Sequence, residues 1–208
     1  MRVHMFRHLG LRPFVVAMTA LTTGFLTGCD SGSQKNIGDR APESGSETPS
    51  ASAGGFRLLD FSADPPEAWA QETPDNTMRM AQFTTPAPEG EEEGLVIVFY
   101  FGEGQGGSVE ANLDRWSRQF ADDAGNPVEP EREKLDDAAF PTTLARYDGT
   151  YTRTRGMGGS SEPVPGQTMV AAIAETPKGS LFFQLTGPTA TVEAQREAFR
   201  GFVSSLGR

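Results

Sequence analysis

The sequence predicts an α+β fold in which an antiparallel β-sheet is flanked by helices. Strand-like segments follow one another in runs with two helical segments among them, whereas a doubly wound parallel sheet would alternate strands and helices regularly. The last two strand-like segments, Met169–Ala174 and Leu181–Thr186, are separated by a turn that contains Pro177, Lys178 and Gly179. A link this short is typical of an antiparallel hairpin, because a parallel crossover needs a dozen residues or more.

The first half of the sheet is predicted from apolar residues between turn signals. Short segments at Phe56–Phe61 and Ala68–Gln71 are expected to be edge strands. Met78–Thr84 alternates apolar and polar residues and stops before Pro86, as a strand does. Leu95–Phe101 is an unbroken apolar run closed by glycine, which favours a central strand that is buried on both faces.

Each of the two predicted helices carries an apolar stripe. Ser108 is placed to cap the first helix. Its stripe recurs at helical spacing and comprises Val109, Leu113, Trp116 and Phe120. The second helix opens at Gly187, Pro188 and Thr189. Its stripe comprises Val192, Phe199, Phe202, Val203 and Leu206.

The region between the first helix and the last hairpin is less apolar. Asp122–Asp137 is polar and interrupted by proline, and it has room for a short helix. Pro141–Thr154 is predicted to be a strand. Its residues on one side are Ala145, Tyr147, Gly149 and Tyr151. A glycine-rich loop is then predicted from Gly156 to Gly166.

This loop is the predicted contact surface of the molecule. Strand connections of such length are unusual without a role in recognition. Two arginines at its base form a local positive region on an acidic protein. The candidate contact residues are Arg153, Arg155, Met157, Ser160 and Ser161.

The charge balance excludes one class of partner. The chain has 208 residues with 18 basic and 28 acidic side chains, and its formal net charge is -10. Nucleic-acid binding depends on a cationic face that displaces counterions from phosphates. We therefore expect no nucleic-acid partner.

The first 28 residues have the pattern of an export signal. Arg2, Arg7 and Arg12 precede an apolar run from Phe14 to Leu26 without any acidic residue. This run is shorter than the 17 to 25 residues or so with which a helix spans a bilayer. An export signal over residues 1–28 is therefore predicted.

The end of this signal carries a lipidation motif. The sequence Leu26-Thr27-Gly28-Cys29 resembles the lipobox of bacterial lipoproteins, with an apolar residue three positions before the cysteine and a small one just before it. The resemblance implies cleavage between Gly28 and Cys29 and acylation of Cys29. It implies a membrane-anchored lipoprotein on the extracytoplasmic face of the bacterial cell envelope, held by its lipid.

Two further segments follow the signal. Residues 29–55 comprise the lipidated cysteine and a tether rich in Ser, Gly and Pro, which has too little apolar surface to fold. Residues 56–208 are long enough for a single globular domain.

Loss of the signal would also limit the chemistry of the mature chain. The two histidines of the sequence, His4 and His8, precede the cleavage point, and the one cysteine would carry lipid. Histidine-dependent nucleophilic catalysis and zinc sites made of His and Cys are then excluded. We expect no metal, no cofactor and no enzymatic activity.

Two other motifs of the sequence have simpler interpretations than ligand binding. Gly102–Gly107 matches G-x-G-x-x-G, but no second apolar strand follows its helix, and Glu103 would place a negative charge at the phosphate site. A flexible strand-to-helix loop is therefore favoured. Acidic clusters at Glu89–Glu93 and at Asp122 and Asp123 lack the alternating spacing of a calcium loop and are interpreted as solvated turns.

The globular part resembles the PsbP-like/DcrB group, which includes an extrinsic subunit of photosystem II and a periplasmic lipoprotein. The segments that carry the resemblance are Trp69, Met78–Ala81, Phe99–Phe101, Arg115–Phe120 and Phe183–Pro188. The resemblance implies an α/β/α sandwich that serves as a non-catalytic binding or assembly module at a membrane. It carries over no metal or assembly residue.

The resulting functional hypothesis is an exported, lipid-anchored envelope protein that binds an envelope protein partner and catalyses nothing. One alternative is a carboxylate-based hydrolase that acts on envelope glycans. Another is a carrier of a small ligand or of calcium.

Overall fold

The computed structural model describes residues 56–74, 76–152, 154–155, 159–160 and 162–207. Its elements, in chain order, are β1 (Phe56–Leu58), β2 (Phe61–Ala63), β3 (Ala70–Glu72), β4 (Arg79–Thr85), β5 (Gly94–Tyr100), α1 (Val109–Ser117), β6 (Phe120–Ala121), β7 (Glu131–Lys134), β8 (Thr142–Tyr151), β9 (Thr154–Arg155), β10 (Gly159–Ser160), β11 (Val164–Thr176), β12 (Gly179–Pro188) and α2 (Thr189–Ser204).

Eight strands form the main sheet, in the order β3-β4-β5-β12-β11-β8-β6, with β7 also paired to β8. The paired strands of this sheet are all antiparallel. The predicted fold class is therefore confirmed. The predicted hairpin is also present, and it is longer than expected because β11 and β12 pair continuously from Gln167 and Pro188 to Thr176 and Gly179.

The two helices pack on opposite faces of this sheet. Alternate side chains of each strand point to opposite faces. The first face packs under α2 in a large apolar cluster, which includes Phe83, Val98, Phe183, Phe199 and Phe202. The second face packs under α1 in a smaller cluster, which includes Leu113, Trp116, Tyr147, Ile173 and Phe182. This is a sheet flanked by helices, as the sequence predicted.

Phe202 of α2 lies at the centre of the larger cluster. Its ring centroid is 5.6 Å from that of Trp69, 5.8 Å from that of Phe83 and 5.6 Å from that of Phe183, in edge-on geometry. Edge-on aromatic pairs of this kind contribute about 0.5 to 1.5 kcal/mol beyond the burial of their area. The predicted apolar stripe of α2 is thus a core-facing stripe.

The first predicted strand is a hairpin instead of a single edge strand. The chain turns at Leu59, whose φ is 57°, so that β1 and β2 pair with each other. The amide of Ser62 donates to the carbonyl of Gly207 at 2.8 Å, and that of Gly207 donates to the carbonyl of Ser62 at 2.9 Å. These two bonds join the hairpin to the segment that follows α2.

Two predictions between α1 and β8 were wrong. The first helix ends at Ser117, so Phe120 belongs to β6, where its ring stacks 4.8 Å from that of Tyr151. Asp122–Asp137 contains strand β7 and no helix in the described structure. This segment begins with a turn, because the Asp122 carboxylate accepts hydrogen bonds from the backbone amides of Ala124 at 2.9 Å and of Asn126 at 2.8 Å.

The edges of the main sheet are short or charged. At one edge, β3 has three residues, all exposed. At the other edge, β6 has two residues, and β7 is formed by Glu131, Arg132, Glu133 and Lys134, all exposed. Short, charged edge strands resist pairing with the sheet of another molecule.

None of the helices in the described residues is both long and apolar enough to cross a membrane.

Candidate ligand cleft

The second face of the sheet is only partly covered. Helix α1 buries Leu113 and Trp116 over the β8 and β11 side of this face. On the β4, β5 and β12 side of the same face, a cleft of about 440 Å³ opens to solvent. The prediction that the Leu95–Phe101 strand is buried on both faces was wrong in part. Leu95 and Phe99 are half-buried in the cleft, and Tyr100 is half-buried on the face under α2.

The floor of the cleft combines an apolar row with a polar one. Leu95, Ile97 and Phe99 of β5 line it. In the neighbouring strand β12, Gln184 pairs with Ile97 and Thr186 pairs with Leu95. Because directly paired residues point to the same face, the amide and the hydroxyl lie beside the apolar row.

One wall of the cleft adds further amide groups. Gln119, which lies between α1 and β6, and Gln167 of β11 line this side together with Tyr151 at the end of β8. Within the described part of the chain, no side-chain hydrogen bond is formed by Gln119, Gln167 or Gln184. Each glutamine amide can donate two hydrogen bonds and accept two. Three such groups therefore face the cleft with hydrogen-bonding capacity for a ligand.

The opposite wall carries Arg79 of β4, and neighbouring side chains orient it. A bulge between Arg79 and Ala81 keeps Arg79 paired with Phe99, on the cleft face. Its Nη1 donates to Oε1 of Gln82 at 2.6 Å. The Gln82 Nε2 in turn donates to Oε2 of Glu72 at 2.7 Å. The guanidinium group is thus held in one orientation through a chain of side-chain hydrogen bonds.

Glu72 at the end of this chain has a lowered pKa. The Thr84 hydroxyl donates to one carboxylate oxygen and the Gln82 amide donates to the other. Hydrogen bonds to the ionised form lower the pKa of Glu72, with the Thr84 bond as the largest cause. The carboxylate is therefore ionised at neutral pH.

Thr84→Val is expected to raise the pKa of Glu72, because it removes the larger of the two hydrogen bonds. A carboxylate with a lowered folded pKa contributes stability above its unfolded pKa, and this contribution is lost as the pH falls through the folded pKa. The variant should therefore lose less stability on acidification than the natural protein. NMR titration of the Glu72 side chain measures the change, with Thr150→Val as control. An unchanged midpoint in Thr84→Val would contradict the assignment.

Carboxylates lie at the far end of the cleft from Arg79. Glu92 and Glu93 line this end, just before β5 begins at Gly94. The turn that carries them is joined to α2, because the Thr191 hydroxyl donates to the carbonyl oxygen of Glu92 at 2.7 Å. Arg79 and the two glutamates therefore line opposite ends of the cleft.

A second groove, of about 210 Å³, lies between α2 and the β7 and β8 strands. Two of its arginines form ion pairs with carboxylates of the protein. Arg200 donates to Glu133 at 2.6 Å, and Arg146 donates to Asp148 at 2.6 Å and also to Glu193. These arginines therefore already bind carboxylates of the protein.

The glycine-rich loop Gly102–Gly107 folds onto the start of α1. The Asn112 side-chain amide donates to the carbonyl oxygens of Gly106 at 2.8 Å and of Ser108 at 2.9 Å. Gly106 has a φ of +92°, and a Cβ there would lie 2.7 Å from the ring of Phe182. The loop thus uses glycine for its backbone angle and its close approach to the sheet, as the strand-to-helix interpretation predicted.

The site residues predicted from sequence lie mostly outside the described residues. This holds for Gly28, Cys29 and the tether, and for Arg153, Met157 and Ser161 of the loop. For Arg155 and Ser160 the structure describes the backbone, in β9 and β10, which pair with each other. The end of the predicted loop is corrected, because β11 already begins at Val164.

The cleft itself was missed by the sequence analysis. Its lining residues come from separate parts of the chain, between Arg79 and Pro188. The available signal was Gln184, a polar residue within the otherwise apolar Leu181–Leu185 segment. No group of three or more metal-ligating side chains occurs among the residues that the structure describes.

No known family model matches the chain, and no curated protein matches it. Among solved structures, PA94 from Pseudomonas aeruginosa, a protein of unknown function and proposed regulator, is 16% identical with a TM-score of 0.37, and the match covers 70% of this chain and 89% of that chain. LpqN, involved in cell envelope biogenesis of Mycobacterium tuberculosis, is 8% identical with a TM-score of 0.42, over 71% of this chain and 83% of that chain. Neither likeness carries an argument about function, and the PsbP-like resemblance stays a prediction.

Proposed function

We propose that the protein is an exported, lipid-anchored component of the bacterial cell envelope that binds a small polar ligand in its cleft and catalyses no reaction on it. The leader and the Cys29 motif support the location. The observation that carries the binding function is the cleft, in which unpaired glutamine amides stand beside an apolar floor in the described structure.

The composition of the cleft suits binding. Ligand sites are typically concave and largely apolar, with volumes of about 300 to 1,000 Å³ and a few polar groups that fix orientation. The floor of Leu95, Ile97 and Phe99 supplies apolar contact, and Gln167 and Gln184 supply directional hydrogen bonds. A ligand that combines apolar groups with amide or hydroxyl groups fits this lining.

The absence of catalysis is proposed from the chemistry of the residues. After cleavage the chain would contain no histidine and no free thiol. The two carboxylates of the cleft, Glu92 and Glu93, are exposed neighbours on one turn. Acid and base catalysis by two carboxylates, as in glycosidases, requires groups that face each other across the reacting bond.

An envelope protein partner belongs to the same proposal. The candidate contact residues Arg153 and Arg155 follow shortly after Tyr151 in the sequence. Tyr151 lines the cleft. Such a partner remains a prediction from the sequence.

Ligand binding is tested with full-length protein extracted from membranes in detergent. The probes are L-alanine, tetra-alanine and N,N′-diacetylchitobiose. Binding of each probe is measured by calorimetry and by the rise in melting temperature, since a ligand that binds the folded state raises its stability. At least one probe is expected to bind. Gln184→Leu should weaken binding by roughly two- to tenfold, the equivalent of one hydrogen bond.

Gln71→Leu is the matched control, because Gln71 is exposed in β3 and does not line the cleft. This variant should bind like the natural protein. Failure of all three probes, or equal losses in the two variants, would count against a binding function of the cleft.

A further inference from the structure

We infer that the ligand of the cleft is an uncharged saccharide of disaccharide size. Its ring faces lie on the apolar row of β5, and its hydroxyl groups bind the polar side chains of β11 and β12. This inference rests on the proposed binding function and names its ligand class.

The polar groups that the cleft offers to a ligand are neutral. Within the described residues, the side chains of Gln167, Gln184 and Thr186 line the cleft and form no hydrogen bond with the protein. An amide and a hydroxyl can each donate and accept. The hydroxyl groups of a saccharide also donate and accept, so they satisfy this lining without an ion pair.

The charged residues of the lining do not require a charged ligand. Arg79 donates to Gln82 at 2.6 Å and has a further interaction with the protein. Glu92 and Glu93 are exposed neighbours on one turn, where water screens their charge. These two carboxylates weakly disfavour an anion at their end of the cleft. Recognition therefore depends on the neutral groups.

The apolar and polar rows of the cleft floor match the two kinds of surface on a sugar ring. Gln184 pairs with Ile97 and Thr186 pairs with Leu95, so the rows run side by side on neighbouring strands, about 4.8 Å apart. A sugar ring carries C–H groups on its faces and hydroxyl groups at its edge. A ring that lies on the β5 row therefore directs its edge towards Gln184 and Thr186.

The length of the apolar row indicates the size of the ligand. Leu95 and Phe99 are four residues apart along β5, which corresponds to roughly 13 Å at about 3.3 Å per strand residue. This row is longer than a single sugar ring, and the cleft volume of about 440 Å³ is that of a small-ligand site. A disaccharide covers the row, and Gln119 and Gln167 on the wall are available for its remaining hydroxyl groups.

The test is calorimetry on full-length protein in dodecyldimethylamine oxide, because maltoside detergents themselves carry a saccharide. The neutral probes are cellobiose and N,N′-diacetylchitobiose, and at least one of them should bind. Cellobiouronic acid, which differs from cellobiose by one carboxylate, should bind no more tightly than cellobiose. Tetra-alanine should bind about tenfold more weakly than the better neutral disaccharide, since it leaves hydroxyl-binding groups of the site unpaired.

Variants and deoxy sugars together assign the hydrogen bonds. Gln167→Leu and Gln184→Leu should each weaken binding of the better neutral disaccharide about two- to tenfold, the equivalent of one hydrogen bond. Among monodeoxy derivatives of that disaccharide, at least one should bind weakly to the natural protein, and this loss should disappear in one of the two variants. In the control Gln71→Leu, outside the cleft, the loss should be kept.

The outcomes separate this inference from the proposed function. If L-alanine or tetra-alanine binds and depends on Gln184 while neither neutral disaccharide binds, the cleft is a binding site and the saccharide inference is overturned. Tighter binding of cellobiouronic acid than of cellobiose also overturns it, as do deoxy losses that persist in both glutamine variants. If no probe binds at all, both the proposed function and the inference fail.

Discussion

Replacing Cys29 with alanine is expected to abolish labelling by a fatty-acid analogue and to move the protein from the membrane fraction to the soluble fraction. The acyl chains on Cys29 are the proposed anchor, and each buried CH₂ group contributes about 0.8 kcal/mol to membrane binding. Fractionation of cells and metabolic labelling measure the two effects.

Ser31→Ala is the control for this experiment, because Ser31 lies in the tether two residues after the cysteine. It should leave labelling and fractionation unchanged. Persistent labelling of Cys29→Ala would refute lipidation at this position, and with it the proposed location.

Trp116→Ala is expected to destabilise the domain by about 3 to 5 kcal/mol, as large-to-small substitutions of buried aromatic residues do. Trp116 is only 1% exposed and packs with Leu113 in the cluster under α1. For a domain of this size, 1 kcal/mol corresponds to about 2 to 4 °C, so the melting temperature should fall by roughly 6 to 20 °C. Calorimetry or circular dichroism measures the shift.

Asp114→Ala provides the matched control, because Asp114 is an exposed residue of the same helix. Its melting temperature should stay close to that of the natural protein. An unchanged melting temperature in Trp116→Ala would show that α1 does not pack on the sheet as described.

Strong periodic patterns explain which parts of the fold could be predicted. The strand at Arg79–Thr85 and the helix at Thr189–Ser204 have a period of apolar residues that matches their burial in the structure. The hairpin of β11 and β12 was marked by its short turn as well. In these elements the local sequence and the tertiary packing favour the same structure.

The elements that were missed depend on a partner strand. β7 consists of charged residues only and has no apolar pattern, so that its pairing with β8 cannot be seen from its own sequence. Phe120 fitted a helical stripe, yet it reaches the same cluster from β6 after the helix has ended. A helix that continues to Phe120 and a helix that ends earlier in a turn both place this side chain in the same cluster. The spacing of apolar residues alone does not distinguish these two structures.

The cleft could not be predicted for a similar reason. Gln119, Gln167 and Gln184 are far apart in the chain, and strand order brings them to one surface. Single glutamines in a sequence are usually solvent-exposed residues without a function. The predicted loop contacts and the lipid site depend on residues outside the described structure and stay predictions.

The short and charged edges of the sheet would have a consequence on a membrane, where we propose that a lipid holds the protein. Lipid anchors would confine many copies to two dimensions, where neighbours collide far more often than they would in free solution. The three exposed residues of β3 and the alternating charges of β7 give an approaching copy little backbone to pair with. Crowded molecules would thus avoid aggregation through edge-to-edge strand pairing, and their clefts would stay accessible.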